Sequence, residues 1–92
     1  MIKSFKCKET SKIFTRAGSK RFATIEKIAL RKLLQLEVAG RIEDLMVPPA
    51  NWLEKLGGNR AGQDSIRINR KWRICFSWID QDAYDVEIVD YH

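Results

Sequence analysis

The chain closes on Asp90-Tyr91-His92, which places its single histidine beside a phenol and a carboxylate. Imidazole changes charge near neutral pH and can take up or release a proton in a reaction at pH 7. Upstream lies Ser65-Ile66-Arg67-Ile68-Asn69-Arg70-Lys71-Trp72-Arg73-Ile74-Cys75-Phe76, a strand-like run rich in arginine. Arginine stays charged and offers a phosphate oxygen pair a planar fork of donors. A proton-moving tail next to a phosphate-gripping sheet is the equipment for cutting RNA. Further cations, Lys55 and Arg60 in a glycine-bearing loop and Arg67, Arg70 and Lys71 in and around the hairpin, suit a sugar-phosphate backbone.

Alternation decides which of these groups meet. In the run from Ser65 to Phe76, Ile66, Ile68, Trp72, Ile74 and Phe76 form an apolar set, with Trp78 beyond them. Arg67, Arg73, Cys75 and Ser77 take the other face, and Tyr91 shares parity with Glu87 and Val89 on that polar face. If the two strands pair through the short turn at Arg70-Lys71, Arg67 and Arg73 lie side by side. Like charges so placed need an anion between them, a phosphate or a surface carboxylate. Trp72 and Trp78 belong to the core. Trp52 is left open between core and base-stacking surface.

The elements that must carry these groups are legible. Ile2 to Cys7 alternates as a short first strand, and Glu9 to Arg16 reads as one or two helical turns stopped near Gly18. Ala23 to Ala39 is the clearest helix, with Ile25, Ile28, Ala29, Leu33, Leu36 and Ala39 as its apolar stripe. Thr24 is suited to cap its start and Gly40 its end, with Glu26, Lys27, Arg31, Lys32 and Gln35 mostly toward solvent. A further helical turn is expected at Arg41 to Met46, and Pro48-Pro49 stops it. Trp52 to Leu56 is expected to be extended, and residues 57–62 form a loop. Three consecutive strands follow, with turns at Arg70-Lys71 and Asp80-Gln81-Asp82, and Tyr84, Val86 and Ile88 continue the apolar face. The predicted fold is α+β: a small twisted antiparallel sheet, a meander plus an N-terminal strand, with helices packed on one face.

Composition narrows the class. Ninety-two residues, 45% hydrophobic, fit a single domain spanning 1–92. Seventeen basic against twelve acidic residues give a net charge of +5, and the acids crowd into the tail, so a polyanionic partner is favoured. Cys7 and Cys75 form no zinc-ligand pattern, no carboxylate cluster for Mg²⁺ is evident, and the glycine loop matches no nucleotide-binding fingerprint. No metal or other cofactor is expected. No apolar run is long enough to span a membrane, and a reduced cytoplasmic protein is expected.

Leu53-x-x-Leu56-x-Gly58-x-Arg60-x-Gly62-x-x-Ser65-Ile66-Arg67-Ile68-Asn69-x-x-Trp72-Arg73-Ile74-Cys75-Phe76, followed by Val86-Glu87-Ile88-Val89-Asp90-Tyr91-His92, resembles HigB-type toxins of the RelE/ParE toxin–antitoxin superfamily. The resemblance runs over essentially the whole chain. It implies a RelE-like fold, a ribosome-dependent endoribonuclease that cuts mRNA in the ribosomal A site, and silencing by a HigA-type helix-turn-helix antitoxin whose complex binds operator DNA. It places Asp90, Tyr91 and His92 in the catalytic cluster and Arg73 at the scissile phosphate. Lys55, Arg60, Arg67 and Lys71 then face RNA and ribosome. Relatives with this ending can carry a second histidine before the glycine loop. Here that position is Glu54, an acid or base only if its pKa were raised, which puts a two-histidine mechanism in doubt. Two other functions are compatible with the same residues: ParE-like inhibition of DNA gyrase, which has no evident need for the tail, and a non-catalytic RNA-binding module.

Overall fold

A computed structural model describes residues 1–90 of the chain. Helix α1 (Lys8–Phe14) and helix α2 (Glu26–Val38) precede a four-stranded antiparallel sheet of β1 (Glu54–Lys55), β2 (Asp64–Arg67), β3 (Trp72–Ile79) and β4 (Asp82–Asp90), ordered β1-β2-β3-β4. The helices cover one face of the sheet. Ile13, Phe22, Ile25, Ala29, Leu33 and Leu36 meet Ile66, Ile74, Phe76, Val86 and Ile88 in one core, the expected burial of an amphipathic stripe against alternating strand residues. Trp72 and Trp78 pack against that core, each edge-on to a phenylalanine, Phe22 and Phe76 respectively.

The N-terminal segment differs from a regular strand. It runs parallel to β4 and touches it through isolated bridges at Ile2–Ala83 and Phe5–Val86. The reason is a bulge in β4: Cys75 pairs with Glu87 and Ser77 with Tyr84, so Asp85 and Val86 together oppose Phe76, and Asp85 takes a φ of 53°. The amino-terminal segment follows this bent edge, with Ser4 Oγ accepting the Asp85 amide at 2.8 Å. The same extra residue inverts the side-chain alternation beyond it. Tyr84 therefore shares the outer face with Ser77, and Ala83 takes the core place opposite Trp78, contrary to the unbroken alternation expected for Tyr84.

Around α2 the expectations need four corrections. Residues Ala23–Ile25 form a 3₁₀ turn and Thr24 caps nothing; Glu26 instead accepts the Ser19 amide at 2.8 Å. The helix ends at Val38 with Ala39 extended, and Gly40 serves by donating its amide to Asp44 Oδ2 at 2.9 Å. A bond from the Arg41 amide to the same oxygen, and after it the one from Gly40, hold the Asp44 carboxyl below its ordinary pKa. Ile28 lies outside the buried stripe. Lys32 points inward, 8% exposed, and its Nζ donates to Asn51 Oδ1. Asn51 is fully buried. Its Nδ2 donates to Gln35 Oε1 at 3.0 Å, to the Leu45 carbonyl at 3.1 Å and to the Val47 carbonyl at 3.5 Å. This polar knot ties the segment from the 3₁₀ turn at Ile42–Met46 to the turn at Pro49–Asn51 down onto α2.

Candidate functional site

Pairing across β2 and β3 sets Arg67 directly opposite Arg73, and Val89 lies opposite Arg73 on the other side. Residues directly opposite share a face, so both guanidiniums leave the sheet on the side away from the helices, as alternation predicts. They line an open cleft of about 360 Å³ together with Trp52, Glu54, Asn69 and Arg70.

Arg73 is 7% exposed and firmly held. Its Nε donates to Ser65 Oγ at 2.8 Å, and its Nη2 to the Trp52 carbonyl at 2.5 Å and the Ser65 carbonyl at 3.4 Å. Glu54 Oε1 lies 3.4 Å from the same Nη2. The anion that two adjacent arginines require is thus supplied in part by Glu54, which stands opposite Ser65 in the β1–β2 register. Arg67 donates through Nε to the Asn69 carbonyl at 3.0 Å and lies over the indole of Trp52, 4.8 Å from the ring centroid.

Asn69 shapes the loop that joins the two arginines. Its Oδ1 accepts the amides of Lys71 and Trp72, each at 2.9 Å, and closes the chain reversal without glycine. An asparagine two residues after Arg67 was a readable turn signal. Ser65, by contrast, carried none: only the strand register shows that it braces Arg73. Trp52 occupies left-handed backbone, φ 44° and ψ 59°, which costs a residue other than glycine about 1–3 kcal/mol. The knot around Asn51 and the bond from Arg73 hold it there.

The other expected site residues are dispersed. Arg60 lies on the same side of the sheet but in a second depression with Lys6, Gln63 and Ser77, where it pairs with Glu87 at 2.8 Å. That depression is separate from the cleft of the arginine pair, and the partner of Arg60 in it comes from β4. Lys55 stands 88% exposed, 3.8 Å from Asp64. Lys71 lies over the Trp72 ring and 4.0 Å from Asp90. Asp90 pairs with Trp72 and so shares the face of Trp72 rather than that of Arg73. Tyr91 and His92 lie outside the described residues. Burial pushes the Cys75 thiol, beneath the arginine face, above its ordinary pKa.

Among the described residues no three His, Cys, Asp or Glu side chains group as metal ligands, and no helix is long and apolar enough to cross a membrane. What the cleft offers is fixed guanidinium charge, an indole and one carboxylate. Such a set is chemically suited to an anion bearing planar groups.

The chain is similar to solved structures of small toxins. It superposes over its full length on the YoeB toxin of a heterotetrameric YoeB-YefM toxin–antitoxin complex from Staphylococcus aureus (98% of that chain, 20% identity, TM-score 0.57). It matches a mutant of YafQ from E. coli over 98% of its length and 93% of that chain, at 12% identity and a TM-score of 0.55. At this identity the likeness concerns the fold. In sequence, 58 residues are 43% identical to toxin HigB-1 of Vibrio cholerae serotype O1, a stretch that is 63% of this chain and 61% of that protein. The endoribonuclease HigB of Proteus vulgaris is 33% identical over the full length of both chains. Residues 3–92 match the family described as the RelE-like toxin of the type II toxin–antitoxin system HigB. With that match over nearly its whole length, the chain belongs to the HigB-like family of RelE-like toxins.

Proposed function

We propose that this protein is an endoribonuclease that cuts mRNA in the ribosomal A site. The observation that carries this is the placement of Arg73. Nε and Nη2 are held by Ser65 and Trp52, so the guanidinium is fixed before substrate arrives, and Arg73 lines the cleft in which a phosphate would lie. Charge that develops on phosphorus during reaction meets a preorganised donor. Its strand neighbour β4 runs past it to Asp90, and Tyr91 and His92 follow in sequence.

The reaction needs no external nucleophile. The 2′-oxygen bonds to the adjacent phosphorus and loses its proton to a base. The bond from phosphorus to the 5′-oxygen breaks, and that oxygen takes up a proton. The products are a 2′,3′-cyclic phosphate and a 5′-hydroxyl. His92 and Tyr91 are the proton-transfer groups, and Arg73 stabilises the phosphorane-like transition state. Asp90 acts on the tail and on Lys71 from the neighbouring face. Arg67 and Arg70 hold the backbone beside the scissile phosphate, and Glu54, beside Arg73, yields its place to that phosphate. Lys55, Lys71 and Arg60 contact RNA or ribosome outside the cleft. The ribosome presents the mRNA in register, so the free protein is a poor nuclease. The protein acts in the cytoplasm, and a helix-turn-helix antitoxin of the HigA type silences it, the complex binding operator DNA.

The test uses mRNA-programmed ribosomes with the wild type and the His92→Ala, Tyr91→Ala and Arg73→Ala variants. The expected result is cleavage in the A-site codon by the wild type, with a loss of about 10²–10⁴-fold for a proton-transfer variant. Equal cleavage by the wild type and both tail variants removes the tail from the mechanism. Intact mRNA together with inhibited supercoiling by gyrase replaces the proposal with the ParE-like activity.

A further inference from the structure

Trp52 is a large apolar side chain at the margin of a cleft otherwise built from charged and polar groups. It is 62% exposed, and its backbone is in the left-handed region. Its predecessor, Asn51, is fully buried and held by α2, Leu45 and Val47, while the Trp52 carbonyl is bonded by Arg73. The chain is therefore clamped on both sides of the point where it turns the indole outward. Arg67 lies over one face of the ring and restrains its rotation. A flat aromatic face so held, adjoining three guanidiniums, complements a ligand that carries a planar apolar ring and a phosphate together. An apolar protein surface fits less well, because it would have to strip water from Arg67, Arg70 and Arg73 as it closed over the indole.

We propose that Trp52, backed by Arg67, stacks on a nucleobase of the A-site codon next to the phosphate held by Arg73. Trp52 is then a specificity-determining residue, and Asn51 and Lys32 are positioning residues that act through it. This rests on the endoribonuclease reading and adds a base-binding subsite to it.

The experiment measures kcat/KM on ribosomes programmed with an intact A-site codon or with one carrying an abasic nucleotide at each position in turn. The enzymes are the wild type, Trp52→Phe and Trp52→Leu, with melting temperatures as a check of folding. Stacking contributes about 5- to 150-fold per base. The wild type is expected to lose that factor at one abasic position and little at the others. Trp52→Leu keeps bulk but has no π face. It loses a comparable factor on the intact codon and nothing further at that abasic position, whereas Trp52→Phe keeps most of the rate. Equal rates for the Phe and Leu variants, or a wild type indifferent to every abasic position, overturn the subsite and leave the nuclease standing. A wild type that cuts no codon at all removes both.

Discussion

Replacing Asn51 by leucine should unfasten the segment that carries Trp52, and the structure allows the cost to be worked out. Asn51 Oδ1 is the hydrogen-bond acceptor for the buried Lys32 ammonium, and Nδ2 serves Gln35 and the Leu45 carbonyl at good distance. A hydrogen bond to a charged group contributes about 1.5–3 kcal/mol, and each buried acceptor left unsatisfied costs about 1 kcal/mol or more. Asn51→Leu should therefore cost about 3–5 kcal/mol. A chain of 92 residues has a total stability of roughly 5–14 kcal/mol, so the melting temperature should fall by roughly 12–40 °C. The double variant Lys32→Met with Asn51→Leu should regain at least half of that loss, because it removes the stranded ammonium as well as its acceptor. Lys32 also carries a pH signature. Burial, with a smaller contribution from Arg31, lowers its pKa in the folded protein. Below that lowered value both states are protonated and the full cost of burying the ammonium persists. Between it and the ordinary lysine value of about 10.4 the unfolded chain binds more protons, so stability rises with pH. Urea titrations of the four proteins in this cycle, at pH 7 and across the alkaline range, measure both effects. Additive losses in the double variant, or an alkaline slope unchanged by Lys32→Met, would refute the reasoning.

Arg73→Lys keeps the charge but not the fork, and a lysine cannot serve Ser65, Trp52 and a phosphate together; cleavage on programmed ribosomes should fall by about 10²–10³-fold. The buried Cys75 thiol, raised in pKa, stays protonated where an unfolded cysteine ionises, so stability should fall as pH rises through about 8.5. Cys75→Ala should lessen that fall in denaturant titrations. The β3–β4 turn places Asp80 and Gln81 at φ of 49° and 69°, and Asn-Gly in their place should raise stability by about 0.5–1 kcal/mol in the same assay.

Much of the architecture was legible because period and turn chemistry are local. The alternation from Ser65 to Trp78 placed Arg67 beside Arg73 and sent Trp72 and Trp78 to the core, and the long apolar stripe located α2. Tyr84 escaped this logic, since one extra residue at Asp85 inverts the faces and no glycine marks it. Lys32 falls on the buried side of α2, three residues after Ala29 and four before Leu36, but its charge argues for solvent; it stays inside because Asn51, nineteen positions later, provides an acceptor. Trp52 could not be assigned from spacing, as its orientation depends on that same long-range bond and on Arg73. The site shows the same division. Arg67, Arg70, Arg73 and Glu54 converge as strand pairing demands, whereas Arg60 is drawn off by Glu87, a partner from β4 that the loop's own composition does not reveal.

The amino-terminal segment also decides how other polypeptides can approach the rim of β4. The amides of Ala83 and Val86 are taken by the Met1 and Ser4 carbonyls, that of Asp85 by Ser4 Oγ, and that of Ile88 by Thr10 Oγ1. Along this stretch the outward-facing donors are already occupied, which denies an invading extended chain its template. A visiting protein that lies here must grip through its side chains, or first peel residues 1–6 away from the rim.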